Sequence, residues 1–369
     1  MSAKVRLGIV GAGYMGLEHA HGFKLLPDVE VAAVCDRDPA AAERLAAESG
    51  HQPRIYSRWE ELVSQPDLDG IIITVPNFLH HQVAEVALKA GKHVLLEKPL
   101  ATTVDGAHAV LKAAQTSGKQ VQIGLVYRYS NLYNKMAEIL AEGQFGPVTM
   151  LWCKEFRASF PPNPWFYSQE ASGGSLVEKN CHHFDLFNWF AGARPKKVFA
   201  MGGQHVIRQG QPTEVGWWYV QQDGAQPLTV TDSQVIDNAW VTVEYENGAR
   251  ANLGLCLYLR PNNLAEEGLE IGLIGETGAQ MVAYANKKIG LSGGPYGDLR
   301  YIVPDRETFS PWHIGGQRER IEFLETCRTG KKPWADLQIA YDSLLVALAA
   351  ERSIKEERVI YLSEVSGHA

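Results

Sequence analysis

The first third of the chain alternates between short, continuously apolar runs and longer stretches with a helical spacing of apolar residues. The run at residues 70–75 has no polar face, which is typical of a parallel strand buried on both sides. Such runs predict strands at residues 4–10, 29–36, 52–56, 70–75, 93–96 and 120–126. Helices are predicted between them, one ending near residue 26 and others at 39–49, 59–64, 80–90 and 104–117. The alternation predicts an α/β unit whose parallel sheet is covered by helices on both faces.

The pattern changes after residue 128, where strands begin to follow one another directly. A helix at 132–142, a strand at 148–156, a loop rich in Pro and aromatic residues at 157–165 and a helix at 175–190 come first. Strands are then predicted at residues 197–201, 216–220, 228–231, 239–244, 249–257, 269–274 and 279–283, with closing helices at 317–326 and 337–355. Turn signals between consecutive strands indicate a mostly antiparallel sheet. We therefore predict two domains, residues 1–128 and 129–369.

Composition agrees with two ordinary globular domains and limits the partners. The 369 residues are 45% apolar and 21% charged. Lys and Arg number 35 against 42 Asp and Glu, which gives a formal net charge of −7. This charge argues against nucleic acid or an anionic membrane as a partner. It leaves an anionic small molecule open, because local charge can oppose net charge.

The cysteines and the lack of long apolar runs indicate the compartment. Five cysteines stand at positions 35, 153, 181, 256 and 327, and none forms a Cys-x-x-Cys pair. This usage fits free thiols in a reducing cytoplasm better than disulfides or structural zinc. The sequence has no run of 18 apolar residues and no signal-peptide pattern. We expect a cytoplasmic protein with no membrane segment and no bound metal.

A glycine motif, Gly11-x-Gly13-x-x-Gly16, follows the first predicted strand directly and opens a helix. In this context the motif indicates a dinucleotide site. The first glycine permits a tight turn, the second lets a pyrophosphate approach the backbone, and the third lets helix and strand pack closely. Tyr14 and Met15 lie within the same turn, where helix N–H groups attract phosphate charge.

An acidic residue, Asp36, ends the second predicted strand, 20 residues after Gly16. A carboxylate at this place can accept hydrogen bonds from ribose hydroxyls and would repel a 2′-phosphate. NAD is therefore favoured over NADP, although the neighbouring Arg37 could swing onto a 2′-phosphate. A plain turn or helix-cap role for Asp36 is the alternative interpretation.

Two further motifs follow later strands of the predicted parallel sheet. Pro76-Asn77-x-x-His80 comes after the strand at 70–75, at the edge where such folds bind ligands. Contact with the ribose near the nicotinamide and a pure loop-and-cap role both stay open. Lys98, in Glu97-Lys98-Pro99, follows the strand at 93–96. A lysine beside a nicotinamide would orient a substrate hydroxyl and, if desolvated, could pass on its proton.

Glu178, His182 and Asp185 are spaced i, i+4 and i+7 on the helix predicted after Gly173-Gly174. They share one face, and a histidine flanked by carboxylates is a candidate general base. Three other interpretations remain. The residues could form a buried polar patch, a metal site could use His182, His183, Cys181 and Asp185, or Lys179 and His183 could simply face solvent.

Together these motifs resemble those of the glucose–fructose oxidoreductase / inositol dehydrogenase / MocA-like family. The matching elements are Gly11-x-Gly13-x-x-Gly16, Pro76-Asn77-x-x-His80, Glu97-Lys98-Pro99, Gln122-x-Gly124-x-x-x-Arg128, and Gly173-Gly174 leading to His182-x-x-Asp185. They run in the family's order over essentially the whole chain. The resemblance implies an N-terminal Rossmann domain and a C-terminal α/β domain with an open, mostly antiparallel sheet. That sheet commonly joins subunits, so a homodimer or homotetramer is expected.

The resemblance implies that Lys98 and His182 flank the reacting carbon. Glu178 stands where the family usually has Asp, and its extra methylene changes its reach. We expect cofactor contacts from Gly11, Gly13, Tyr14, Met15, Gly16, Asp36, Arg37, Pro76, Asn77, His80, Glu97 and Lys98. We expect substrate contacts from Lys98, Tyr127, Arg128, Arg157, Trp165, Lys179, His182 and His183.

The main functional hypothesis is an NAD-dependent oxidoreductase acting on a hydroxyl of a sugar, sugar derivative or cyclic polyol. His182 takes the hydroxyl proton, and Lys98 holds the same oxygen. The alternative is an NAD-dependent, redox-neutral glycoside hydrolase that works by oxidation, elimination, hydration and reduction. Its extra acid and base would come from among Tyr127, Glu178, Lys179 and His183, and Arg128, Arg157 and Lys179 would suit an acidic sugar such as a sulfosugar. A non-enzymatic NAD-sensing or structural protein that retains the fold and a reductase of imines or other carbonyls are the remaining alternatives.

Overall fold

A computed structural model describes residues 4–216, 226–260, 269–284, 287–305 and 314–367. The chain divides into two compact units. The first combines Met1–Tyr129 with Glu307–Tyr341, and the second combines Ser130–Arg306 with Asp342–Ala369. The boundary predicted from the sequence puts all residues after 128 in one domain. It did not anticipate the return to the first unit, because a periodic pattern does not show which core a helix packs against.

The first unit contains a six-stranded, all-parallel sheet with the strand order β3-β2-β1-β4-β5-β6. Its strands are β1 (Val5–Val10), β2 (Val29–Cys35), β3 (Arg54–Tyr56), β4 (Gly70–Ile73), β5 (His93–Leu96) and β6 (Val121–Ile123). Between them lie the helices α1 (Tyr14–Lys24), α2 (Pro39–Glu48), α3 (Trp59–Val63), α4 (His80–Lys89) and α5 (Val104–Ser117). The predicted Rossmann-type α/β unit is confirmed.

The rest of the chain contains a second set of elements, again given in chain order. They are α6 (Asn131–Ala141), β7 (Val148–Phe156), α7 (Gln169–Ser172), α8 (Ser175–Ala191), β8 (Pro195–Gly203), β9 (Thr213–Val215), β10 (Leu228–Val230), β11 (Asn238–Tyr245), β12 (Arg250–Cys256), β13 (Leu269–Gly275), β14 (Gln280–Tyr284), β15 (Lys288–Ser292), β16 (Arg300–Ile302), α9 (Gly316–Thr329), α10 (Leu337–Glu356) and β17 (Ile360–Tyr361).

A nine-stranded sheet dominates the second unit, with the order β16-β15-β14-β13-β7-β12-β11-β8-β17. All neighbouring strands are antiparallel except β7 and β12, which run parallel. β9 and β10 form a separate antiparallel pair. The predicted mostly antiparallel sheet is confirmed.

The alternation of side chains leaves one face of this large sheet open. On β7, Leu151 and Cys153 are buried, whereas Met150 is exposed. Trp240 on β11 lies opposite Met201 on β8, and both are more than half exposed, at 51% and 63%. The sheet therefore presents large apolar side chains on a face that no element of the second unit covers in the part of the chain that the structure describes.

Helix α9 belongs to the first unit although it follows the whole second sheet in sequence. Its Phe323 and Leu324 are buried in the cluster around the first sheet, which includes Leu7, Ile9 and Ile72. An amphipathic helix can bury its apolar face only where a matching surface exists. The sequence shows the helix but not the surface that receives it.

The element predictions differ from the structure mainly where segments are short. The strand predicted at 120–126 stops at Ile123, and a 3-10 turn (Val126–Tyr129) follows it. Strands β9, β15, β16 and β17 and helix α7 were not predicted, because a few residues carry too little periodicity. The strand predicted at 216–220 lies outside the described residues apart from its first residue.

Candidate active site

In the glycine turn after β1, each of the three positions favours glycine for a different structural reason. Gly11 has a φ of +104°, and a Cβ there would lie 2.7 Å from the Thr74 carbonyl. A Cβ on Gly16 would lie 2.1 Å from the Gly11 oxygen, so only glycine allows this close packing. Gly13 is the N-cap of α1, and a Cβ there would have no neighbour within 4 Å. Its surroundings leave the N–H groups of α1 accessible to an anion.

The Asp36 carboxylate stabilises this turn through two hydrogen bonds from backbone N–H groups. Its Oδ2 accepts a hydrogen bond from the Ala12 N–H at 2.7 Å, and its Oδ1 accepts one from the Asp38 N–H at 2.9 Å. Each carboxylate oxygen keeps further lone-pair capacity, and the side chain is partly exposed. Arg37 and Tyr14 are exposed, and Met15 is partly buried. The turn and its acidic residue thus form one hydrogen-bonded unit at the carboxyl edge of the sheet.

His80 is buried and lies between two backbone carbonyls. Its Nδ1 is 2.7 Å from the Pro99 oxygen, and its Nε2 is 2.9 Å from the Val75 oxygen. Burial lowers the pKa of His80, so the neutral ring donates to one of the two carbonyls. The His80 ring links the loop after β4 to the segment after Lys98. His80 therefore supports this loop, and its expected cofactor contact stays a prediction; Asn77, next to Pro76, is also buried.

Glu97 is buried as well, with 7% of its surface exposed. Its Oε1 lies 2.9 Å from His19 Nε2, and its Oε2 accepts a hydrogen bond from the Lys98 N–H at 3.2 Å. Lys98 itself is partly exposed. His19 was not among the predicted site residues, although a histidine on the buried face of α1, three residues after the last glycine, was a usable signal.

Tyr127 and Arg128 lie in the 3-10 turn after β6 and are both buried. The Arg128 guanidinium lies 5.8 Å from the centre of the Trp334 ring. Such stacking holds a planar cation in place at little cost in hydration. Arg128 is therefore anchored within the first unit, and its expected substrate contact stays a prediction.

In the second unit, Glu178, His182 and Asp185 are buried on the same face of α8. The turn before the helix uses Gly173 and Gly174, both with positive φ. A Cβ on Gly174 would lie 2.5 Å from Glu351 Oε1. The same Glu351 oxygen accepts a hydrogen bond from the Leu176 N–H at 3.1 Å, and burial raises the pKa of Glu351 to about 7. Glu351 thus caps the start of the helix that carries His182.

The neighbouring face of α8 points to a buried carboxylate on β7, Glu155. Lys179 Nζ lies 3.2 Å from Glu155 Oε1, His183 Nε2 lies 3.4 Å from Oε2, and Arg157 Nη1 lies 3.6 Å from Oε1. Burial is the largest single effect on Glu155 and opposes its ionisation, but its cationic neighbours, Lys179 foremost, together outweigh burial, and the pKa of Glu155 falls to about 2. Burial also lowers the pKa of His183 to about 4, so its ring is neutral at pH 7.

This cluster contains three of the expected substrate residues, Arg157, Lys179 and His183. His183 is fully buried and faces Glu155, and Lys179 is mostly buried, so the alternative in which both face solvent is wrong. In this position His183 supports α8, and the expected substrate contacts of Arg157, Lys179 and His183 stay predictions. Glu155 was overlooked, although a glutamate at an inward-facing position of a predicted strand is an uncommon pattern that invites a buried partner.

The loop between β7 and α8 supplies an aromatic stack. Trp165 stacks on Phe166 with ring centres 3.8 Å apart, and Phe166 stacks on Phe160 at 5.5 Å. Asn163 caps the short 3-10 turn (Pro164–Tyr167) that carries Trp165. Trp165 remains partly exposed, so its expected contact with a sugar ring stays a prediction.

Neither a metal site nor a membrane-spanning helix is found among the described residues. No group of three or more His, Cys, Asp or Glu side chains has the arrangement of a metal site in the ranges that the structure describes. The proposed grouping of Cys181, His182, His183 and Asp185 around a metal therefore has no structural support. Within those same ranges, no helix combines the length and the apolar character needed to cross a membrane.

The parallel sheet and its open glycine turn define a dinucleotide-binding fold, and comparison with known families places the chain among oxidoreductases. The model described as "Oxidoreductase family, NAD-binding Rossmann fold" matches residues 5–125, and the "GFO/IDH/MocA C-terminal domain" matches residues 133–280. The chain belongs to the GFO/IDH/MocA oxidoreductase family. Its first unit is an NAD-binding Rossmann domain.

Individual relatives agree with this family. An uncharacterised oxidoreductase of Bacillus subtilis, YrbE, is 28% identical over 251 residues, covering 68% of this chain and 67% of its own. An inositol 2-dehydrogenase of Salmonella typhimurium is 32% identical over 200 residues, covering 53% of this chain and 56% of its own. The matches thus span about half to two thirds of the relatives' lengths. The crystal structure of an oxidoreductase domain protein from Kribbella flavida has the same fold, with a TM-score of 0.83, 19% identity and coverage of 98% and 99%.

Proposed function

We propose that the protein is an NAD-dependent oxidoreductase that acts on a hydroxyl of a sugar, sugar derivative or cyclic polyol. The observation that carries the proposal is the grouping at one edge of the first sheet. The glycine turn follows β1, Asp36 follows β2, Asn77 follows β4 and Lys98 follows β5. Carboxyl ends of parallel strands share one edge, so the cofactor residues and a candidate catalytic lysine meet there. The named inositol dehydrogenase relative supports a polyol as substrate.

The residues of the first unit fit NAD. Gly13 leaves open space beside the N-terminus of α1, where a pyrophosphate would lie, and the partly exposed Asp36 has spare acceptor capacity for ribose hydroxyls. Bound NAD supplies the hydride acceptor. The protein then has to hold the substrate hydroxyl and accept its proton.

We assign these two tasks to Lys98 and His182, on the strength of the family motifs that both residues match. His182 takes the hydroxyl proton, and the Lys98 ammonium offsets the negative charge that develops on the same oxygen. Glu178 or Asp185, on the same face of α8, orients His182. The partners that follow are a small carbohydrate and no nucleic acid or membrane. Five free cysteines support a cytoplasmic location.

The proposal is tested by incubating the purified protein with NAD and a panel of free sugars, polyols and aryl glycosides, acidic ones included. NADH absorbance and aglycone release are recorded together. We expect NADH in proportion to the sugar or polyol consumed. Aglycone release that needs NAD but leaves no net NADH would instead establish the redox-neutral glycosidase. If no compound of the panel gives NADH or releases its aglycone although the protein still binds NAD, an NAD sensor would be favoured.

Removing the Asp36 carboxylate is expected to weaken NAD binding about 10- to 100-fold, because charged hydrogen bonds to the ribose are lost and the brace on Ala12 disappears. The Asp36→Ala variant should also discriminate less against NADP. Isothermal titration calorimetry with both dinucleotides measures these effects. Asp38→Ala is the matched control, since Asp38 only caps α2 through the Ala40 N–H. Equal NAD affinities in the two variants would contradict the assignment.

We also propose that a second copy of the chain covers the open face of the large sheet. The exposed Met150, Met201 and Trp240 lie on this face, and apolar patches of this kind mark subunit contacts. Trp240→Glu is expected to lower the mass measured by light scattering at micromolar protein toward that of one chain. Leu25→Glu, on an exposed apolar residue of the first unit, serves as the control. An unchanged mass for Trp240→Glu would place the interface elsewhere.

A further inference from the structure

A cluster of buried polar groups lies behind Lys98 in the first unit, and most of it was not expected from the sequence. The fully buried members are His19 on α1, Gln122 on β6, and Glu319 and Arg320 on α9, and Glu97 is buried with them. Burying charges costs free energy unless they are paired and hydrogen-bonded. The contacts of Glu97 show how this member is accommodated.

Glu97 is the member that reaches Lys98. One of its carboxylate oxygens lies against His19 and the other accepts the Lys98 N–H, as described above. Gly124 makes room for it, because a Cβ there would lie 2.9 Å from Glu97 Oε2. The Gln122-x-Gly124 motif thus needs glycine at position 124, because the Glu97 carboxylate occupies the space that a side chain would take. Glu97 uses both oxygens inside the protein, which disfavours the cofactor contact expected from the sequence.

The second carboxyl of the cluster, Glu319, differs in charge state. Burial raises the pKa of Glu319 well above its ordinary value, and the nearby Glu97 charge raises it further. Two neighbouring buried carboxyls cannot both ionise easily, so one holds a proton. Glu97 has partners on both oxygens, His19 Nε2 and the Lys98 N–H. Glu319 is therefore the neutral partner.

We propose that Glu97, held by His19, is a positioning residue for Lys98 that fixes its backbone and favours the charged form of its side chain. The pair also links α1, which opens at the glycine turn, to the segment that carries Lys98. The inference rests on the proposed function insofar as Lys98 is catalytic. The titratable and charged groups that face Glu97 from the surrounding elements are His19, His80, Lys98, Glu319 and Arg320.

The test measures the titration of Lys98 directly, without turnover. The full chain is labelled with an amine-acylating reagent over a pH series, and the labelling of Lys98 is quantified by mass spectrometry. Removing a neighbouring negative charge disfavours the ammonium form. Glu97→Gln is therefore expected to move the labelling midpoint about one pH unit lower. Glu97→Asp keeps the charge and should leave the midpoint near that of the wild type.

Glu319→Gln is the matched control, because it changes a buried carboxyl of the same cluster that is already neutral. Its midpoint should equal that of the wild type. If Glu97→Gln is too unstable to purify, His19→Gln/Glu97→Gln removes the same carboxylate and keeps an amide hydrogen bond in its place. This double variant has to show the same downward shift.

Several outcomes would overturn the inference. An unmoved midpoint in Glu97→Gln would do so, and so would an equal shift in Glu319→Gln. If Glu97→Gln binds NAD more weakly and its labelling midpoint does not move, Glu97 would be assigned to the cofactor site, and the proposed function would be unaffected. A shifted midpoint in a protein that oxidises nothing in the substrate panel would support the link between Glu97 and Lys98 and reject the proposed function instead.

Discussion

Replacing His182 by alanine is expected to lower kcat by about 10²- to 10⁴-fold, the usual contribution of a general base. Without the imidazole, the hydroxyl proton has no positioned acceptor as hydride leaves the carbon. NAD affinity should be unchanged, because His182 belongs to the second unit and the NAD-binding Rossmann domain is the first. Lys98→Ala should cause a loss of similar size, since it removes the charge that stabilises the developing alkoxide.

The two losses should not add. Because His182 and Lys98 are proposed to act on the same oxygen, the double variant is expected to be about as slow as the slower single variant. Initial rates at saturating NAD, together with NAD binding measured by calorimetry, check both expectations. Lys89→Ala and His205→Ala, at exposed positions, are controls for the residue types. Unchanged turnover in both single variants would reject the site assignment.

Truncating Phe323 is expected to lower the free energy of unfolding by about 3–5 kcal/mol, the cost of removing a buried phenylalanine ring. Phe323 is fully buried and packs into the core of the first unit, although it stands about two hundred residues after β6 in the chain. The Phe323→Ala cavity therefore lies beneath the NAD-binding sheet. Urea unfolding followed by circular dichroism measures the loss, and saturating NAD should recover part of it by mass action.

Ile321→Ala provides the control on the same helix. Ile321 is 52% exposed, so its truncation should change stability by about 0.5 kcal/mol or less. The contrast between the two variants tests whether α9 packs on the first unit. Equal effects of the two substitutions would show that Phe323 does not lie in this core.

Much of the fold could be predicted because its signals are local. Continuous apolar runs predict the parallel strands of the first unit, and consecutive alternating strands predict the mostly antiparallel sheet of the second. The glycine turn is readable for the same reason, since contacts within a few residues and with the adjoining strand require Gly11 and Gly16, and Gly13 leaves open space beside α1. Short elements such as β16 were not predicted, because three residues do not establish a period of apolar and polar positions.

The candidate site was only partly readable. Sequence spacing placed Glu178, His182 and Asp185 on one face of α8. It did not show that the adjacent face would point Lys179 and His183 at Glu155, which is more than twenty residues earlier on a strand. Which charges meet depends on how a helix rotates against a sheet, and packing over the whole unit decides that rotation.

The sequence by itself determined the class of fold, the NAD-binding turn and the family motifs, because these depend on backbone geometry and chemistry within short segments. Only the tertiary structure decided that Glu97 binds His19 and the Lys98 N–H, and that α9 returns to bring Glu319 beside them. The physical reason is that a buried charge needs partners in space. Those partners come from whichever elements the packing of the core brings together, at any distance along the chain.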